Sequence, residues 1–271
     1  MARLQETPRA KRRKTLTPIQ ANAGVEAEYQ RALMREVDAM QKSLEWWIRA
    51  RYRPVATGIA ADASPFAELQ HMLDRLIGKW RAHFNEVSAH LASAFVENVS
   101  GHTDASMVRG FREAGMTIKF RPTQGVQQAI KSSVAENVLL IKSIGEQHLN
   151  EVGQLVQRAV QNGGSLGDLT KDLQSRYGIT KRRAAFIAQD QNAKATTAIR
   201  KQRQIETGLY EAEWVHSSAG RHPRASHVKA GRDKLKFDIR KGAEIDGEWI
   251  MPGQLPRCRC TWRLLLPEFD A

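Results

Sequence analysis

Cysteine is nearly missing from this chain: its 271 residues include two, Cys258 and Cys260. A disulfide across a single intervening residue would be strained. The sequence therefore excludes a secreted domain stapled by cross-links and fits a reducing compartment. Long apolar runs are also lacking. None approaches the roughly 18–20 residues that cross a bilayer, so no membrane partner is expected. The basic N-terminus leads into no apolar stretch, which excludes a secretory signal and implies a chain that stays where it is made. Nucleotide-binding glycine loops of the G-x-x-x-x-G-K-[ST] and G-x-G-x-x-G types are absent, as is a G-x-S-x-G elbow. Carboxylates that could hold catalytic Mg²⁺ are scattered in the C-terminal third, at Asp233, Asp238 and Asp246. The expectation is a protein that is not an enzyme.

Positive charge, in contrast, is abundant. Lysine and arginine number 42 against 29 acidic residues, a net charge of +13. Such an excess attracts polyanions with a strength that fades in salt. It is concentrated at the two ends. Residues 1–20 read as a basic, disordered tail carrying Arg9, Lys11, Arg12, Arg13 and Lys14. A second excess runs from Lys181 to Arg263 and includes Arg221, Arg224, Arg257 and Arg259. Both sets are candidate nucleic-acid contacts, with a solvated tail and snorkelling side chains as the plainer reading.

Between them, apolar residues recur at helical spacing. Val25, Tyr29, Leu33, Val37, Met40, Leu44 and Trp47 predict a helix over 24–52, ended by Pro54 and Thr57-Gly58. Ser64 and Pro65 start a second, running to about Ser100. A short helix over 102–114 closes at Gly115, and Met116–Arg121 is expected to be extended. Helix returns from Thr123 to Gln161. Gly163-Gly164 stops it, and Ser165 with Asp168 forms a capping motif for a helix to Tyr177. Thr180 then caps a last long helix that ends at Gly208. No internal repeat is evident.

From Leu209 the pattern changes. Glu211–Val215 alternates as a strand does, and Ala243–Ile250 reads as a hairpin turned by Asp246-Gly247. Cys260–Leu265 is a closing strand, with Trp214, Trp249 and Trp262 expected in the core. The fold class is α+β: a mainly helical region over 21–208, then a small β-rich module over 209–271.

Two clusters in this module could carry chemistry. Residues 214–227 bring together His216, His222, His227, Arg221, Arg224 and Ser226, and Cys258-Arg259-Cys260 follows. On an extended chain, residues two apart share a face, so both cysteines can reach one ion, with His227, His222 or His216 completing a structural zinc site. The plainer reading, and the one expected, is two packed thiols and no cofactor. Ser226 beside His227 on an extended chain would face the opposite way, which argues against a nucleophile–base pair.

The run Gly220–His227, then Gly231, Asp246-Gly247, Pro252-Gly253 and Cys258-Arg259-Cys260, resembles the C-terminal signature of phage Mu F-like minor head proteins. Trp214, His222, Arg224, Ser226, His227, Gly231, Pro252, Gly253, Cys258 and Cys260 carry the resemblance. Ile187–Gln191 resembles the helix that precedes the module in that family. Two features depart from it. Ser217, Ser218 and Gly220 stand where many relatives have an acid, and Arg257 stands where many have asparagine. The resemblance implies a low-copy head morphogenesis protein that docks to the portal protein or the major capsid protein. It would be made in the host cytoplasm, then lie in the virion at the capsid interior or near the portal. Non-specific contact with packaged DNA follows from the same likeness. Some relatives carry a further toxin domain after the module; none is expected here. The alternatives are a metal-dependent nuclease or hydrolase using His227 with Cys258 and Cys260, or a general DNA-binding protein.

Overall fold

A computed structural model describes residues 5–6, 15–58, 64–218, 220 and 222–266. The expectations for Arg9, Lys11, Arg12, Arg13, Lys14 and Arg221 lie outside these residues. The elements are α1 (Ala23–Gly58), α2 (Ser64–Glu113), α3 (Gln124–Gln161), α4 (Leu166–Glu206) and a short α5 (Ala225–Arg232). The strands are β1 (Gln5–Glu6), β2 (Met116–Thr117), β3 (Glu211–Val215), β4 (Lys236–Asp238), β5 (Ala243–Ile245), β6 (Glu248–Ile250) and β7 (Thr261–Leu264). The α+β class expected from the sequence is the class observed.

The chain folds as two compact units. One comprises residues 27–93 and 135–188, and every element described in it is a helix. Its core follows the predicted stripe at Leu33, Val37, Met40 and Leu44, with Leu69, Leu73, Phe84, Ile141 and Ile144; at the end of the stripe Ile48 is buried in place of Trp47, which is 39% exposed. Paired contacts give the helix directions. Tyr52 donates to the Gly164 carbonyl and Tyr177 to Asp38, so α1 and α4 run antiparallel. A Cβ on Gly145 would lie 2.6 Å from the Phe84 ring, and one on Gly153 3.5 Å from Ile77, so α2 and α3 also run antiparallel. Gly145 is there because the Phe84 ring occupies the space of its side chain. His148 is buried in this unit with both ring nitrogens partnered, to Thr180 Oγ1 at 2.9 Å and to Gln41 Oε1 at 3.0 Å.

The other unit comprises residues 1–26, 94–134 and 189–271. Its β3 is the centre of an antiparallel sheet ordered β4-β3-β7, with Trp214 opposite Trp262. β5 and β6 form the expected hairpin: Asp246 and Gly247 take φ of 55° and 80°, the two left-handed residues of a type I′ turn. One core lies around Trp214, Phe237, Ile239 and Trp262. A second joins Leu16, Met107, Phe111 and Met116 to Leu264.

Several boundaries differ from expectation. α1 continues past Pro54 to Gly58. The helices expected over 64–100 and 102–114 are one, because Gly101 lies inside α2. Those over 165–177 and 180–208 are also one, with Gly178 inside α4. An interior glycine costs only about 1 kcal/mol, less than the packing on either side supplies. Thr180 is accordingly not a cap: it lies inside α4, with its hydroxyl 2.9 Å from His148 Nδ1. Ser165 is one, accepting from the Asp168 amide at 3.0 Å and donating to the Asp168 carboxylate. Ser226 and His227, expected on an extended stretch, lie in the helix α5. Trp249, expected in the core, is 58% exposed on β6.

Candidate metal centre in the C-terminal module

Three segments converge behind the central sheet. His216 follows the end of β3, His227 sits in α5, and Cys258 and Cys260 precede β7. The Cys258-Arg259-Cys260 stretch alternates as an extended chain does, with both sulfurs inward and Arg259 exposed. His227 reaches them because 225–232 is helical, which turns its ring toward Trp214 at a centroid distance of 5.1 Å, edge to face.

The polar atoms gather closely. His227 Nδ1 is 3.5 Å from Cys258 Sγ and 3.7 Å from Cys260 Sγ, and His216 Nδ1 is 3.5 Å from Cys260 Sγ. The ligand atoms of His227, Cys258 and Cys260 all lie within 4.8 Å of one another, and all three residues are buried. Both cysteines are free thiols. The Cys260 thiol donates to the Cys258 sulfur and holds the Cys258 thiol well below its ordinary range; Cys258 in turn pushes Cys260 up. Backbone N–H groups of Cys260 and Gly253 also favour the Cys258 thiolate, and that of Ser217 favours the Cys260 thiolate. His222 is exposed and stands outside this group.

The glycines and prolines of the motif hold the cluster in place. A Cβ on Gly231 would lie 2.4 Å from the Cβ of His216 and 2.9 Å from its nitrogen, so only glycine lets α5 pack this close to the end of β3. Gly253 has φ 83°, and a Cβ there would lie 2.6 Å from Thr197 Oγ1 on α4. The Pro252-Gly253 turn is thereby pressed onto that helix, where Thr197 donates to the Pro252 carbonyl at 2.8 Å.

α4 meets the module through a polar stripe. Asp190 accepts from the Arg257 amide at 2.9 Å, just ahead of Cys258. Arg200 donates to Thr261 Oγ1 at 2.8 Å, to the Trp262 carbonyl at 2.9 Å and to the Ile19 carbonyl at 3.3 Å. Its guanidinium also lies 4.0 Å over the Trp262 ring. Gln204 Oε1 accepts from the Trp262 indole at 2.6 Å. Asp190, Thr197, Arg200 and Gln204 recur at steps of seven, three and four, one face of a helix. Sequence reasoning missed them, since a polar stripe at this spacing reads as a solvated face.

Residues 150–263 match the family described as Phage Mu protein F like protein. Over that segment the chain is similar to the Mu F-like family. The matched residues include the whole of α4 and all of the β-rich sheet except the last residue of β7, so helix and module are matched together. A protein of Haemophilus influenzae strain Rd, described as uncharacterized, is 25% identical over 255 residues, covering 92% of this chain. The chain spans 55% of that relative's length. No solved structure matches it.

The remaining motif positions of the Mu F-like segment surround the cluster. Arg224 occupies the N-cap position of α5 without a side-chain capping bond, and donates to the Pro256 carbonyl at 3.1 Å. Arg224, Arg257 and Arg259 are all exposed, and Ser226 is half-buried. A neighbouring cavity of about 430 Å³ is lined by Ile19, Arg200, Ser217, Arg259 and Cys260 among others. Of the clustered histidines and sulfurs only Cys260 touches it; His227 and Cys258 are sealed in the module core.

Proposed function

We propose that this protein is a non-enzymatic minor head protein of a tailed phage or prophage. It docks to the portal or to the capsid interior and supports head assembly and the packaging or delivery of DNA. What carries the reading is the Mu F-like match over residues 150–263, taken with the work its motif residues do. Gly231, Pro252 and Gly253 bring segments together, while Asp190, Arg200 and Gln204 fasten the module to α4. None of these contacts presents a reacting group to solvent. Exposed Arg224, Arg257 and Arg259 suit an interior crowded with DNA, as does the net charge of +13.

Deleting the gene from the phage that encodes it tests the proposal. Particles should assemble abnormally or fail to infect, and the protein should be present at low copy number in wild-type particles. Normal yield, DNA content and infectivity without it would refute the role. DNA cleavage that requires a divalent metal and disappears in His227→Ala would instead make the protein an enzyme.

A further inference from the structure

We propose that His227, Cys258 and Cys260, completed by His216, bind a structural Zn²⁺ ion that ties α5 and the loop before β7 to the end of β3.

Three observations support this. The first is the donor set: two cysteine sulfurs and two imidazoles form a Cys₂His₂ group, soft and borderline ligands that select zinc over the oxygen-seeking cations. The second is spacing. Zn–S bonds of about 2.3 Å and Zn–N bonds of about 2.0–2.1 Å at a tetrahedral angle place sulfur and nitrogen roughly 3.6 Å apart. The observed sulfur–nitrogen separations are 3.5, 3.7 and 3.5 Å. A disulfide is the wrong alternative for these thiols, because neighbours two apart cannot adopt its geometry without strain.

The third observation is what the cluster lacks among the described residues. His227 is 3% exposed, and neither of its ring nitrogens has an oxygen or nitrogen hydrogen-bond partner there. The polar neighbours of His227 Nδ1 are two sulfurs, which are weak hydrogen-bonding groups. Burying an imidazole in such surroundings is unfavourable unless something stronger holds it. A metal ion does so at Nδ1. Two thiolates and two neutral imidazoles around Zn²⁺ carry no net charge, so the site can lie in an apolar core. Each thiol gives up its proton to solvent on binding. The site is closed on the side of Cys258 and His227, as a structural zinc site is and a catalytic one is not.

His216 is the outermost ligand. It is half-buried and approaches Cys260 alone, so a rotation of its ring brings Nδ1 onto the ion. Gly231 sets the backbone of His216 against α5, and so fixes where that fourth ligand starts.

The test uses the full chain purified without chelator. Mass spectrometry should find one zinc per chain, and cobalt substituted for zinc should show thiolate charge-transfer absorption with tetrahedral visible bands. Chelation should lower the melting temperature, and zinc alone should restore it. Zinc should also protect both thiols from alkylation, a measurement on the wild-type chain that needs no variant to fold. In variants that remain folded, His227→Ala and Cys258→Ser should lose stoichiometric binding, and His216→Ala should weaken it at least tenfold. Chain that takes up neither zinc nor cobalt, and whose melting and alkylation are unchanged by added zinc, would overturn the proposal. So would binding that survives both Cys258→Ser and His227→Ala.

Discussion

The molecule buries two histidines in two different ways. In the helical unit, His148 is fully enclosed, and each ring nitrogen meets an oxygen supplied by another helix, Gln41 on α1 and Thr180 on α4. In the β-rich unit, His227 is 3% exposed, faces two sulfurs with one nitrogen and meets nothing with the other. The first arrangement is complete as protein alone. The second leaves the ring with sulfur as its only neighbour of hydrogen-bonding type. Burial by itself therefore says little about a histidine; the chemistry of the atoms facing its nitrogens distinguishes a core residue from a ligand.

The largest expected effect sharpens the first half of this comparison. Burial, and then the charge of Arg176, lowers the His148 pKa to about 4, well under its value of 6.5 in an unfolded chain. The folded state thus prefers the neutral ring, and the unfolded state binds the extra proton between those values. The stabilisation is fully present above pH 6.5 and lost as pH falls toward 4, by roughly 3 kcal/mol in total. Urea unfolding across that interval should show the slope, and His148→Gln should flatten it. An unchanged slope in the variant would assign the acid sensitivity elsewhere.

The second effect challenges the other half. Gly231→Ala puts a methyl group into the backbone of His216, and should destabilise by about 2 kcal/mol. The loss should be confined to the β-rich unit, visible as faster hydrogen exchange in β3 and α5 while the helices of residues 27–93 keep their protection. Uniform loss across the chain would show that the two units do not respond separately. The smallest effect concerns the polar stripe. Gln204→Leu removes the acceptor of the Trp262 indole and should cost about 1–2 kcal/mol. No change in stability would mean that water replaces that contact.

How much of this could be read beforehand depended on the kind of signal. Apolar residues at helical spacing, the stops at Gly163 and Gly208 and the Asp246-Gly247 turn are local, and each stood where expected. Gly101 and Gly178 misled because an isolated glycine gives the same local signal whether or not distant packing carries the helix through it. α5 was missed for the opposite reason. Its eight residues are too few for a periodic stripe, and Pro223 with three basic residues nearby reads as a loop. That error mattered, because the helical turn is what brings His227 to the sulfurs. The two cysteines and the three histidines were legible as candidates. The choice of His216 and His227 over His222 was not, since it depends on how α5 packs against β3. The polar stripe of α4 was invisible for a related reason: Arg200 and Gln204 look solvated until the strand that covers them is in place.

One feature of the sheet bears on how the protein is made. Thr261, at the start of β7, donates to the carbonyl of Ile19, a contact across 242 residues of sequence, and Leu16 donates to the carbonyl of Leu264. A growing chain on the ribosome holds the segment around Leu16 from the outset but cannot fasten it until β7 has emerged. Closing so long a loop is slow. A product cut short before Thr261 would leave that edge of β3 without its β7 partner and its backbone hydrogen-bonding groups unpaired.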